Sequence, residues 1–137
     1  MRLSPDRARA LFAEAAVARL ATVRSDGSPH LVPVCFAIEG DTVYTAVDQK
    51  PKRTRDLLRL QNIRAEPRVA LMADHYEDDW SRLWWARLDG VARVLESSEE
   101  GSGALAALAT RYIQYQRRPP AGPVIAIAAE RWSGWHA

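Results

Sequence analysis

The sequence predicts a small, mainly antiparallel β-barrel with helices interspersed, and three observations carry that prediction. Apolar and polar residues alternate with a period of two in several short stretches. Tight turns such as Asp26-Gly27 and Glu39-Gly40-Asp41 join those stretches more often than helical crossovers do. The 137 residues, 47% of them hydrophobic, suffice for one core and are too few for two, so residues 1–137 are expected to form a single domain. Six strands are expected, closed on one another so that their edges are covered.

Each element follows from local chemistry. Ser4-Pro5-Asp6-Arg7 supplies an N-cap, a proline at the first helical position and an acid in the first turn. The alanine-rich stretch after it predicts a helix to about Val17. Arg19–Arg24 alternates as a half-buried strand, and Asp26-Gly27 turns it back. The next strand is expected from about His30 to Ile38, with Pro29 and Pro33 marking an edge or a bulge because neither can donate to a ladder. Thr42–Val47 is the third strand. A loop from Asp48 to Lys52 leads into a helix from about Thr54 to Ala65, which Pro67 ends. Val69–Ala73 is a short strand, and Leu83–Leu95 a long one with a bend at Gly90. Ser97-Ser98-Glu99-Glu100 caps a helix expected to reach about Gln116. Pro119–Pro123 interrupts the chain, and the last strand starts at Val124 and closes with Trp132 and Trp135.

Composition excludes several classes. Cys35 is the single cysteine, so no intramolecular disulfide forms, and it is read as a buried, inert thiol within an apolar strand. His30, His75 and His136 lack ligand spacing, so no metal site is expected. His75 with Asp74, Glu77 and Asp78 is read as a solvated loop rather than a cation site. There is no glycine-rich phosphate loop and no serine–histidine–acid grouping, so hard chemistry would belong to a bound cofactor. No apolar run is long enough for a bilayer, and Met1–Asp6 has no apolar central stretch. A cytoplasmic location, away from membranes, is expected.

Net charge is only +2, which argues against a general nucleic-acid binder. Its distribution is uneven. From Lys50 to Arg68, seven cations face only Asp56 and Glu66. The only two lysines, Lys50 and Lys52, stand before the helix, where cations, the Thr54 hydroxyl and free backbone amides suit a phosphate. The alternative is a solvated basic helix face, with Lys52, Arg55 and Arg59 at helical spacing. An RNA site on this patch lacks an interleaved aromatic platform. All five tryptophans follow residue 79. Adjacent Trp84 and Trp85 must point to opposite faces of their strand, one into the barrel and one toward a partner or cofactor. Such a surface predicts an obligate dimer with an interface above roughly 2,000 Å².

Several segments in order resemble a known family. Ala21–His30 with Pro33-Val34, then Thr42–Val47, Lys50–Arg55, Asn62–Val69, Asp78-Asp79-Trp80 and Trp85–Ala92 are similar to the pyridoxamine 5'-phosphate oxidase-like split β-barrels, also called FMN-binding split barrels. The likeness covers nearly the whole chain and is nearest to the flavin/deazaflavin oxidoreductase branch, many members of which use coenzyme F420. It implies a homodimer with cofactor sites at the subunit interface. Lys52, with Lys50 or Arg53, matches the phosphate positions. Thr45 and Ala46 match the strand beside the cofactor, and Pro33 and Val34 the strand under its ring. Trp80 matches a residue lining the site, supplied by the partner subunit. The resemblance implies an oxidoreductase that passes a hydride between coenzyme F420 and a small unsaturated substrate, with FMN as the alternative cofactor and a non-catalytic binding protein as the alternative function. The basic face through Arg55 and Arg59 favours the deazaflavin, whose oligoglutamate tail needs positive charge spread along a path. The sequence ends soon after Trp135 without the arginine-rich C-terminal segment of true pyridoxamine phosphate oxidases, which argues against vitamin B6 oxidation.

Overall fold

A computed structural model describes residues 1–47, 54–120 and 122–137, and within the second helix the side chains from Leu58 onward. Among them run α1 (Pro5–Glu14), β1 (Ala18–Val23), β2 (Pro29–Val34), β3 (Ala37–Glu39), β4 (Thr42–Ala46), α2 (Thr54–Ala65), β5 (Arg68–His75), β6 (Trp84–Leu95), α3 (Glu99–Arg111), α4 (Ile113–Arg117) and β7 (Val124–His136). All seven strands join one antiparallel sheet in the order β2-β1-β5-β6-β7-β4-β3.

That order forces the sheet to curl. β2 and β3 form its opposite edges, yet only Cys35 and Phe36 separate them in the chain. In a flat sheet six spacings of about 4.8 Å would hold the edges roughly 29 Å apart. Three Cα–Cα steps from Val34 to Ala37 reach at most about 11 Å. The sheet must therefore roll until its edges approach.

The roll encloses one apolar interior. Leu20, Phe36, Val43, Leu71, Leu88, Ile125 and Ile127 meet there with Phe12 of α1 and Leu60 and Ile63 of α2. Period-two alternation sends the other residues of β4 outward. Val43 and Val47 belong to the interior, whereas Tyr44 and Ala46 pack beneath Ala104 and Leu108 of α3. A buried hydrogen bond from Asn62 Nδ2 to Thr22 Oγ1 (3.0 Å) ties α2 to β1.

The expected boundaries shift in places. Among the described residues there are seven strands rather than six, because the single strand expected over His30–Ile38 breaks at Cys35–Phe36, where the chain passes from one sheet edge to the other. Pro29 and Pro33 sit on edge strand β2, so an edge rather than a bulge explains them. Cys35 is half-buried rather than buried, since it lies in that link. The first helix stops at Glu14, short of Val17, capped as expected by Ser4 Oγ accepting from Arg7 N–H at 3.2 Å. The expected helix to Gln116 is interrupted at Tyr112. The bend at Gly90 is present as a register shift against β7. Among the described residues no helix is long and apolar enough to cross a membrane.

Candidate cofactor site at the barrel split

The split arises where the ladder runs out. β3 pairs with β4 only through Glu39–Thr42, Ile38–Val43 and Ala37–Tyr44. On that side pairing stops one residue before Thr45, although β7 continues to pair with β4 as far as Ala46. β2 has β1 on one side and forms the sheet edge on the other. Two stretches of backbone edge, at Thr45-Ala46 and along β2, thus flank the link. Main-chain groups there lack a neighbouring strand, although Thr45 and Ala46 are enclosed as whole residues.

The link itself is clamped from outside. Arg111 Nη1 donates to the Phe36 carbonyl at 2.6 Å, and its guanidinium stacks 4.3 Å from the Phe36 ring centroid. Arg111 also donates to the carbonyls of Ala13 (3.2 Å) and Ala15, which end α1. The Tyr112 hydroxyl accepts from the Phe36 N–H (3.1 Å) and donates to the Ala16 carbonyl (2.9 Å). Burial raises the Tyr112 pKa above its ordinary value, so this hydroxyl keeps its proton. Arg111 and Tyr112 carry no local signature for this role, because their partners lie 75 to 98 residues away.

The structure sorts the expected site residues. Pro33 lies exposed on the β2 edge, and Val34 turns into the interior. Thr45 and Ala46 adjoin the split, but both are enclosed as whole residues, at 1% and 6% exposure. Lys50, Lys52 and Arg53 lie outside the described residues. Arg55 is in α2, with its side chain outside the described set. Arg59 is half-buried and acts electrostatically on His30 of β2, rather than standing along a fully solvated face. His30 is held below its ordinary pKa, first by burial and then by the positive charges of Arg24 and Arg59. It is therefore a neutral imidazole at pH 7, with Nδ1 enclosed and without a hydrogen-bond partner among the described residues.

Trp80 is 76% exposed in a 3-10 turn just before β6. Leu95, at the far end of that strand, pairs with Val124, which pairs with Ala46. Eleven strand steps span about 36 Å. Within one protomer Trp80 is therefore remote from Thr45 and Ala46. Trp84 packs on the interior, Trp85 faces outward, and Trp132 meets the Phe12 ring edge-on at 5.2 Å. Among the described residues, no group of three or more His, Cys, Asp or Glu side chains could hold a metal ion.

A rolled antiparallel sheet that leaves a gap between its short edge strands defines a split barrel. The chain belongs to the pyridoxamine 5'-phosphate oxidase family, whose N-terminal-domain model matches residues 4–136. Solved structures with the same fold include an FAD-binding protein of Mesorhizobium loti (21% identity, 98% of this chain and 93% of that one, TM-score 0.71). An FAD-binding protein of Mycobacterium smegmatis matches at 19% identity, over 100% and 99% of the two chains, with a TM-score of 0.64. The heme storage protein HutZ of Vibrio cholerae matches at 20% identity, over 99% and 95%, with a TM-score of 0.70. Comparison with curated proteins finds no significant match.

Proposed function

We propose that this chain is a homodimeric oxidoreductase that holds a deazaflavin coenzyme, F420, against the barrel split and passes a hydride between it and a small unsaturated substrate. The observation that carries this reading is the interrupted ladder at Thr45-Ala46, next to the exposed edge of β2 and just before the cationic run that opens at Lys50. When bound, the coenzyme's ring supplies the redox chemistry. The chain supplies the rest. Backbone groups at Thr45-Ala46 orient the ring's polar edge, and Pro33 and Val34 lie under its plane. Lys52, with Lys50 or Arg53, binds the phosphate. Arg55 and Arg59 extend positive charge toward the anionic tail. No side-chain acid or base is assigned to the proton. Trp80 serves the site of the opposite subunit, a placement compatible with its distance from Thr45 in one protomer.

The second reading is a flavin nucleotide in the same place, bound for catalysis or for storage. Two observations favour it: structural neighbours named as FAD-binding, and the half-burial of Arg59, which removes one cation from the solvated path. Competitive binding at low and physiological salt decides between them, using intact coenzyme F420, the coenzyme trimmed of its glutamates, FMN and FAD. Tightest binding by the intact deazaflavin, weakened by trimming and by salt, is the expected result. Tightest binding by FMN or FAD, with no effect of trimming, overturns the deazaflavin assignment. Anaerobic mixing of the reduced cofactor with a panel of electron acceptors then separates an enzyme from a binding protein.

A further inference from the structure

The run of chain that crosses between the sheet's edges leaves a second gap besides the one at Thr45-Ala46. β2 and β3 are its two halves, broken only at Cys35-Phe36. The first half pairs with β1 and stops at Val34, because β1 begins at that residue's partner, Ala18. The second half pairs with β4 through Ala37, Ile38 and Glu39. Before Ala18 the chain belongs to α1, which ends at Glu14, and to the short link after it. The outer edge of β3 therefore meets no strand, and β3 ends the sheet.

This second gap has the shape of a missing strand. It opens into a cleft of about 470 Å³ lined by Ala13 of α1, by Ala37, Ile38 and Glu39, and by Ala107, Thr110 and Arg111 of α3. Phe12 of α1 packs in the interior, whereas Ala104 and Leu108 of α3 pack on the outer face. The cleft thus continues the sheet past β3, with one helix on each side. The two-residue turn Gly40-Asp41 makes Glu39 and Thr42 a hydrogen-bonded pair, and alternation makes Ala37 and Tyr44 the next. Ile38 lies between them, so its N–H and C=O point to the open edge. Among the described residues no main-chain bond from outside the ladder meets them.

The charges of the lining favour a cation. Ala37 packs beneath α3 and Ile38 on the interior, so Glu39 faces the α3 side. Its exposed carboxylate has no ion pair or hydrogen bond among the described residues. Arg111, the other charge in the lining, already donates to the carbonyls of Phe36, Ala13 and Ala15.

We propose that this gap accepts an extended basic peptide segment as an added strand antiparallel to β3, with a basic residue opposite Glu39, an apolar one opposite Ile38 and a small one opposite Ala37. The middle residue exchanges both main-chain bonds with Ile38. The basic residue neutralises Glu39 across the pair. Three residues extend about 10 Å, the length of β3. The β3 of a second folded copy cannot enter, because it lies between its own α1 and α3. None of the residues given to the cofactor lines this cleft.

The test follows the amide NMR signals of the nitrogen-labelled full chain during titration with acetyl-SKVAS-amide, with acetyl-SEVAS-amide, and with the first peptide N-methylated at its valine. The Ile38 amide is expected to shift, with the lysine peptide binding at least about threefold more tightly than the glutamate peptide. The N-methylated peptide should not bind. Glu39→Lys should reverse the charge preference, and Thr110→Trp, which fills the cleft, should abolish binding, both at unchanged melting temperature. Should Glu39→Lys fail to fold, Glu39→Gln should bring the two charged peptides closer in affinity. Equal affinity for those peptides in the parent, an unaltered preference in the Glu39 variants, or binding of the N-methylated peptide overturns the proposal. So does the absence of any shift, or a shift at Thr45 and Ala46 without one at Ile38, which would move the peptide to the first gap. So does a shift at Ile38 that follows protein concentration alone, which would make the gap a contact between copies.

Discussion

Arg111 and Phe36 are joined twice, by a 2.6 Å hydrogen bond from the guanidinium to the Phe36 carbonyl and by stacking of the same guanidinium over the Phe36 ring. Residues 75 apart in sequence thereby fix the point where the two edges of the sheet meet. Arg111→Met keeps the aliphatic bulk but leaves the carbonyls of Ala13, Ala15 and Phe36 without this donor. A loss of about 2–3 kcal/mol is expected, since bonds to a charged donor contribute roughly 1.5–3 kcal/mol each and water replaces part of that. Urea denaturation with an unchanged m-value is the check.

Gly90 is required by close approach rather than by backbone conformation. A Cβ at this position would collide with the Ala128 carbonyl oxygen and crowd Ile127 Cγ2 at 3.2 Å. Gly90→Ala should cost about 1–3 kcal/mol by overpacking. Gly103→Ala, where nothing lies within 4 Å of the added methyl, should be neutral or mildly stabilising, because alanine is the better helix former. Paired melting curves measure the contrast.

His30 makes stability depend on pH in a stated direction. Its folded pKa lies below the ordinary value of 6.5, through burial first and then Arg24 and Arg59. The unfolded chain therefore binds more protons in that window, so stability rises with pH. The contribution is fully present above about 6.5 and is lost as pH falls toward the depressed folded value. His30→Gln should flatten this part of the profile. An unaltered slope of unfolding free energy between pH 5 and pH 7 would show that another group is responsible.

Lys52→Ala is expected to weaken cofactor binding by about 1.5–3 kcal/mol, a factor of roughly ten to a hundred, through loss of one charge-assisted phosphate contact. Equilibrium dialysis measures it, with the melting temperature as a control for folding. Binding as tight as in the parent would move the phosphate elsewhere.

Much of the barrel is legible locally. Ser4, Asp26-Gly27 and Ser98 act through neighbours two to three residues away, so the turns and caps they make can be read from short windows. The break after Val34 is different. Val34-Cys35-Phe36 reads as continuous strand, because the reason to stop is which edge each half joins, and that depends on β7 pairing with β4 some eighty residues on. The clamp of Arg111 and Tyr112 on Phe36 is hidden for the same reason. Arg59 reads as a surface cation from helical spacing alone, and only the packing of α2 against β1 turns it toward His30. The positions read from the resemblance divide similarly. Pro33 is on an accessible edge, whereas Thr45 and Ala46 are enclosed, a distinction that residue identity does not carry.

The two-residue connection between the sheet's edges acts as a fixed-length clasp on a hoop. Its covalent reach, at most about 11 Å, sets how far the hoop can open at that point, whatever happens to hydrogen bonds elsewhere. Lengthening the clasp by a single residue would leave every ladder intact and alter one dimension, the width of the gap. The aperture is thus governed by chain length at Cys35-Phe36, and the Phe36 side chain, packed in the core, anchors the clasp rather than the gap.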